Sequence, residues 1–336
     1  MLSSRYLKRW YGTGIFIMIF MVAVGGITRL TDSGLSMVDW QPIYGILPPL
    51  SDSDWENEFN QYKEYPEYRY KNINLTLSEF KYIYYWEYIH RMLGRIIGLF
   101  FIFPLVYFSI KKSLDKIEFK KILTIIVLIA FQGILGWYMV KSGLRDNPNI
   151  SHFRLMFHYM MAMILISFTY LQYLRHSYLK QNSISISLST SWFIFSLIII
   201  QIIFGTFMAG LNAGHYYNTF PLMDGSILPL NIIYNHSMGI IENLFYNQAT
   251  VQYIHRLLGF ILLIISLKII FDQFKGYNLT SLDTKLAILL LAQFILGVIT
   301  LVTGVNIYFA VMHQVNASLL ILVCIKVIYI KKISNK

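Results

Sequence analysis

The sequence predicts an all-α polytopic membrane protein, with eight transmembrane helices arranged as two parallel four-helix-bundle repeats. Three observations predict it: more apolar side chains than one soluble core holds, charge-free runs of membrane-spanning length, and a motif that occurs once in each half of the chain. Hydrophobic residues are 56% of the 336 and charged ones 13%, and the mean hydropathy is +0.53.

A helical span needs about 20 apolar residues. Charge-free runs near that length occupy 10–28, 122–140, 155–174, 191–211 and 286–309. The run 310–325 is shorter, but Lys326 can extend its stem to the headgroups, and a tight turn at 304–306 separates it from the run before. Two further spans are interrupted by charge. The uncharged stretch is only about 15 residues between Arg95 and Lys111, and about 11 between Arg256 and Lys268. Each must therefore extend backwards, through WEYIHRMLGR (86–95) and VQYIHRLLGF (251–260). That extension draws histidine, arginine and, in the first case, Glu87 into the membrane, where ionisable groups are costly and mark function.

The net charge of +11 is not a nucleic-acid footprint, because of where the bases lie. They cluster at Arg5, Lys8 and Arg9, at 111–121, at Arg175 and Lys180, at Lys275 and Lys285, and at Lys331, Lys332 and Lys336, while 212–250 has no Lys or Arg and 32–79 is rich in acids. The positive-inside rule then places both termini in the cytoplasm. About ten residues precede the first span, without an Arg- and Ser-rich presequence, so the expected setting is a bacterial inner membrane. The one cysteine, Cys324, lies within the last span, so no intramolecular disulfide braces the outer loops.

YIHR-x-LG occurs at 88–94 and again at 253–259. Gln132-x-x-x-Gly136 and Gly143 are echoed by Gln293-x-x-x-Gly297 and Gly304, and Asp32-Ser33-Gly34 by Asn212-Ala213-Gly214. The shared residues are His, Arg, Gln and Gly, not generic aliphatics, which points to two halves, 1–178 and 188–336, joined by a polar Ser-rich linker around 181–191. An even number of spans in each half makes the repeats parallel.

Of eight histidines, His90, His158, His255 and His313 fall at similar depth near the outer ends of the even-numbered spans, two in each half. That pattern suits bis-imidazole ligation of haem iron between helices. Gly94 and Gly259 follow their histidines by four residues, on the same face, where a flat macrocycle could approach. Arg91, Arg95 and Arg256 could balance propionates, although Arg91 could equally pair with Glu87 at i,i+4. The other histidines, His152, His176, His215 and His236, are expected in solvated loops. Glu87 stands one turn before His90 where the second half has Gln252, so the first half is expected to do proton-coupled chemistry and the second to hold a permanent haem.

At these residues the chain resembles the haem A synthase family, in its disulfide-free alphaproteobacterial and mitochondrial type. The tracts that carry the resemblance are GGITRLTDSGLSMVDWQPIYGILPP (25–49), Trp55-x-x-x-Phe59-x-x-Tyr62-x-x-x-Pro66-Glu67-Tyr68, SEFKYIYYWEYIHRMLGR (78–95), RLMFH (154–158), QYIHRLLG (252–259) and MHQ (312–314). The resemblance implies axial ligation by His90, His158, His255 and His313, turnover through Glu87, substrate haem O in the amino-terminal half and haem b in the carboxy-terminal half. It implies oxidation of the C8 methyl of haem O to a formyl group through a hydroxymethyl intermediate. The implied partners are the protohaem farnesyltransferase that makes haem O, cytochrome oxidase assembly and a redox partner outside the chain, with homo-oligomerisation left open. The first outer loop, 31–81, is either a lid over the site or a plain interfacial loop. The alternatives are a bis-haem b electron-transfer cytochrome, which would use the same histidines, and a parallel-repeat transporter whose buried Arg and Glu bind an anion.

Overall fold

In a computed structural model the described residues are 2–38, 46–144, 148–177, 184–276 and 281–334. Residues 39–45 of the first resemblance tract, 181–183 of the linker, Lys180 and Lys336 lie outside them. The helices are α1 (Ser4–Leu30), α2 (Asp52–Lys63), α3 (Pro66–Tyr70), α4 (Leu77–Ile110), α5 (Lys116–Val140), α6 (His152–Arg175), α7 (Leu188–Gly210), α8 (Leu230–Ile233), α9 (Ile240–Tyr246), α10 (Gln248–Lys275), α11 (Leu282–Val302) and α12 (Ile307–Ser334). Eight of them, α1, α4, α5, α6, α7, α10, α11 and α12, are long and apolar enough to cross a membrane. They turn large apolar side chains outward, Phe16, Phe103 and Ile264 among them, as a surface facing lipid does.

Local chemistry fixes where the long helices begin. The side chains of Asp115, Ser187, Asn247 and Ser281 accept from the first free backbone N–H groups of α5, α7, α10 and α11. Thr76 and Glu79 form a capping box at the start of α4, with Glu79 Oε2 accepting from Thr76 N at 2.9 Å. That cap lets α4 begin at Leu77, well before the span expected from hydropathy, so its first turns stand in the outer loop and pack on α2. The 304–306 turn is made by Gly304 and Val305, both in the left-handed region.

The described residues divide into two compact units, Met1–Thr169 and Tyr170–Lys336. In the first, α4 packs against α1, α5 and α2. In the second, α7, α10, α11 and α12 pack in a closed ring, each against the next and α12 back against α7. The division falls inside α6, ahead of the polar stretch near 181–191. Polar composition marks where the chain leaves the apolar phase, and packing changes elsewhere: Asp283 of α11 accepts from Ser185 N, Ser185 Oγ and Ile186 N, fastening that stretch to the second unit.

Both outer loops carry structure that hydropathy does not reveal. The first holds α2 and α3 over an aromatic core of Trp55, Phe59, Tyr62, Phe80 and Tyr84 that also buries Met37 and Val38. The second holds a short 3-10 turn (Ala213–His215), α8 and α9. Asp32 and Asn212, the first residues of the echoed loop-entry pattern, both adopt left-handed backbone, with φ of 50° and 54°.

Candidate functional site

In the second unit, α10 and α12 bring His255 and His313 together with ring centroids 6.5 Å apart and planes at 68°. Two metal–imidazole bonds of about 2 Å, with the inner half of each ring added, put the centroids of a trans pair about 6 Å apart. The spacing therefore fits an iron between them. Nδ1 of each ring is buried without a hydrogen-bond partner, which a histidine in a closed structural network would have.

Glycines on the preceding helices let the rings in. A Cβ on Gly205 of α7 would lie 2.9 Å from His255 Cε1, and one on Gly297 of α11 would lie 2.9 Å from His313 Cε1. Four residues earlier on the same helices, Gln201 Nε2 approaches His255 Nε2 at 3.3 Å and donates to its carbonyl at 3.0 Å, and Gln293 Nε2 approaches His313 Nε2 at 3.1 Å.

The first unit repeats this arrangement. A Cβ on Gly136 of α5 would lie 3.0 Å from His158 Cε1, and Gln132 Nε2 donates to the His158 carbonyl at 3.0 Å with both ring nitrogens at 3.3 Å. A Cβ on Gly25 of α1 would lie 3.1 Å from His90 Nε2.

Glu87 is buried and faces three donors. Arg91 Nη2 reaches Oε1 at 2.6 Å, while Ser36 Oγ and Met37 N both reach Oε2 at 2.8 Å. Arg91 also donates to the Met37 carbonyl at 2.9 Å. The i,i+4 pair with Glu87 is thus formed, and it fastens the chain just beyond α1 to α4. Gln252 takes the equivalent place with opposite polarity, donating from Nε2 to the carbonyls of Ala213 and Tyr216. Arg256 reaches the carbonyls of Tyr217, Thr219 and Leu222, with Nε left without a partner. Met37 and Tyr217, bound by Arg91 and Arg256, each lie five residues after a left-handed residue, so the echo in the sequence is also an echo in hydrogen bonding. Arg95 Nη1 lies 3.6 Å from Met92 Sδ.

Glu67, buried in α3, was not singled out for chemistry by the sequence. It accepts from Tyr62 OH at 3.1 Å, and Tyr62 OH in turn accepts from Asn72 Nδ2 at 2.8 Å. Burial pushes the Glu67 carboxyl up to about 8; the Tyr62 hydrogen bond opposes that shift, and the charges of Glu87 and Asp32 add to it. Sequence reasoning also missed Gly25, Gly205 and Gln201; the signal for the last two is the spacing Gln-x-x-x-Gly recurring on α7 as on α5 and α11, which Gly25 lacks. The space beside Gly94 and Gly259 is reached by Met21 Cε and Gln201 Nε2, at 3.6 Å and 3.5 Å from the Cβ positions. His215 and His236 are exposed as expected and His176 is half-buried, but His152 is not a solvated loop residue. It begins α6, is buried, and its ring lies 4.5 Å from that of Phe153.

Eight apolar helices, four of them carrying a histidine met by a glycine of a neighbouring helix, define a multi-pass membrane protein. A sequence profile described as cytochrome oxidase assembly protein matches residues 8–325, and the chain belongs to that family. It is 42% identical to a haem A synthase of Rickettsia bellii over 96% of this chain and 97% of the relative. It is 41% identical to one of Flavobacterium johnsoniae, covering 93% and 94%, and 42% identical to one of Wolbachia pipientis, covering 95% and 91%.

Proposed function

We propose that this chain is an oxidoreductase that converts haem O to haem A. The observation that carries the reading is the pairing of two similar histidine sites with different polar neighbours, Glu87 beside His90 and Gln252 beside His255. His90 and His158 would hold the substrate haem O, and His255 and His313 would hold haem b. When bound, haem b supplies one-electron transfer.

The C8 methyl of the substrate is oxidised to hydroxymethyl and then to a hydrate that loses water to leave the formyl group. In each oxidation one C–H bond breaks, the oxygen of a water molecule bonds to the carbon, and two protons and two electrons leave, the electrons to an acceptor outside the chain. Protons released at the methyl carbon need a base, and Glu87 is suited to that role because the donors around it hold a carboxylate in fixed orientation. Arg91 and Arg256 order the outer loops through Met37 and Tyr217, and Arg95, one turn beyond Arg91 on α4, would balance a propionate. The loop bearing α2 and α3 acts as a lid, since its aromatic core holds Met37 against α4.

The arrangement we assign is two parallel four-helix repeats in a bacterial inner membrane, both termini cytoplasmic, fed by the protohaem farnesyltransferase and serving cytochrome oxidase assembly. The test is the absorption spectrum of the purified full-length protein together with chromatography of its extracted pigments. A low-spin b-type spectrum with haem O or haem A in the extract is expected. Haem b alone would make the chain an electron-transfer cytochrome, and absence of a Soret band would end the haem reading.

A further inference from the structure

Four helices, α1, α5, α7 and α11, each press a glycine against a histidine of the next long helix: Gly25 on His90, Gly136 on His158, Gly205 on His255 and Gly297 on His313. One turn before that glycine, three of them carry a glutamine that reaches the same histidine, Gln132, Gln201 and Gln293. The fourth carries Met21. Contacts confirm the equivalence, because Met21 Cε and Gln201 Nε2 occupy the same place beside the glycine four residues after the histidine, Gly94 or Gly259. A thioether offers no strong donor or acceptor where the others offer an amide.

We infer that Gln132, Gln201 and Gln293 are positioning residues that orient His158, His255 and His313, and that Met21 leaves His90 the least constrained of the four imidazoles. The inference rests on the haem reading above. An imidazole that binds metal through one nitrogen carries its proton on the other and needs an acceptor for it. His255 Nδ1 and Gln201 Oε1 are both buried and without a partner, on two residues already in contact. Rotation of the amide or ring would pair them once Nε2 is used. Gln293 is held in place from behind, its Oε1 accepting from Asn316 Nδ2 at 2.7 Å. A fixed ring suits a haem that stays, and a looser one suits a haem that must enter as substrate and leave as product.

The test uses the purified full-length protein with its haem, in three variants. Gln201→Leu removes the amide and should weaken retention of haem b about 10- to 100-fold while raising its midpoint potential, since outer partners raise the basicity of a ligating imidazole. Gln201→Glu keeps a stronger acceptor and should retain haem b with a lowered potential. Opposite shifts distinguish positioning from mere packing, and the Glu variant decides alone if the Leu variant does not assemble. Met21→Gln should increase the share of haem O that stays with the protein through purification. Wild-type potential and retention in both Gln201 variants would overturn the role of the glutamines. Unchanged haem O retention in Met21→Gln would overturn the assignment of His90. Wild-type protein without haem would instead overturn the haem reading itself.

Discussion

Changing Glu87 to Gln tests the asymmetry between the halves, and the structure sets the scale of what is lost. The amide oxygen can still accept from Ser36 Oγ and Met37 N, now 2.8 Å from Oε2, but the amide nitrogen would face Arg91 Nη2, donor against donor. A buried ion pair broken outright costs about 3–5 kcal/mol. Arg91 keeps the Met37 carbonyl at 2.9 Å, so the loss should be nearer that of one charged hydrogen bond, about 1.5–3 kcal/mol. The variant should therefore assemble and bind haem with a slightly lowered Tm. Loss of a general base costs about 100- to 10,000-fold in rate. Haem O or its hydroxymethyl form should accumulate while haem A nearly vanishes, as read by chromatography of pigments from cells expressing the variant. Normal haem A yield would reduce Glu87 to a structural partner of Arg91 and refute the argument. The reciprocal Gln252→Glu should create no second active site. Gln252 donates to two carbonyls, so a carboxylate there would set acceptor against acceptor and loosen the loop after α7.

Three further outcomes are expected. His255→Ala or His313→Ala should abolish the low-spin b-type spectrum, whereas His152→Ala should keep it, with reduced stability because that ring is buried; a normal spectrum in either ligand variant would contradict the pairing. Reporter fusions after Lys180 and Lys336 should read cytoplasmic and those within 216–247 periplasmic, and the reverse pattern would invert the topology. For Glu67, the closed lid binds a proton up to about 8 whereas an opened lid would release it near the usual 4.5, so the closed form is most favoured below 4.5 and loses stability as pH rises to 8. Limited proteolysis between α2 and α4 should accelerate over that range, and Glu67→Gln, a neutral stand-in for the protonated carboxyl, should flatten the dependence; identical pH profiles would remove Glu67 from the lid.

What the sequence determined by itself was whatever is written in period and composition. Hydropathy alone requires the spans, because lipid tolerates only segments that satisfy their own backbone. The positions of His90, His158, His255 and His313 could be read because ionisable groups are rare in such segments, and YIHR-x-LG exposed the repeat because its residues are not interchangeable with lipid-facing ones. Only the tertiary structure decided what these groups touch. Glu87 faces donors and Gln252 faces carbonyls because the loops after α1 and α7 present opposite backbone groups, which no spacing encodes. Gly25 and Gly205 look like ordinary small residues in apolar helices until a histidine from the next long helix is found against each. Glu67 and Tyr62 lie five residues apart in a polar loop, and their burial follows from aromatic side chains contributed by α2 and α4. Covalent order constrains neighbours within a few turns of helix; contacts across helices depend on packing, and packing is a property of the whole unit.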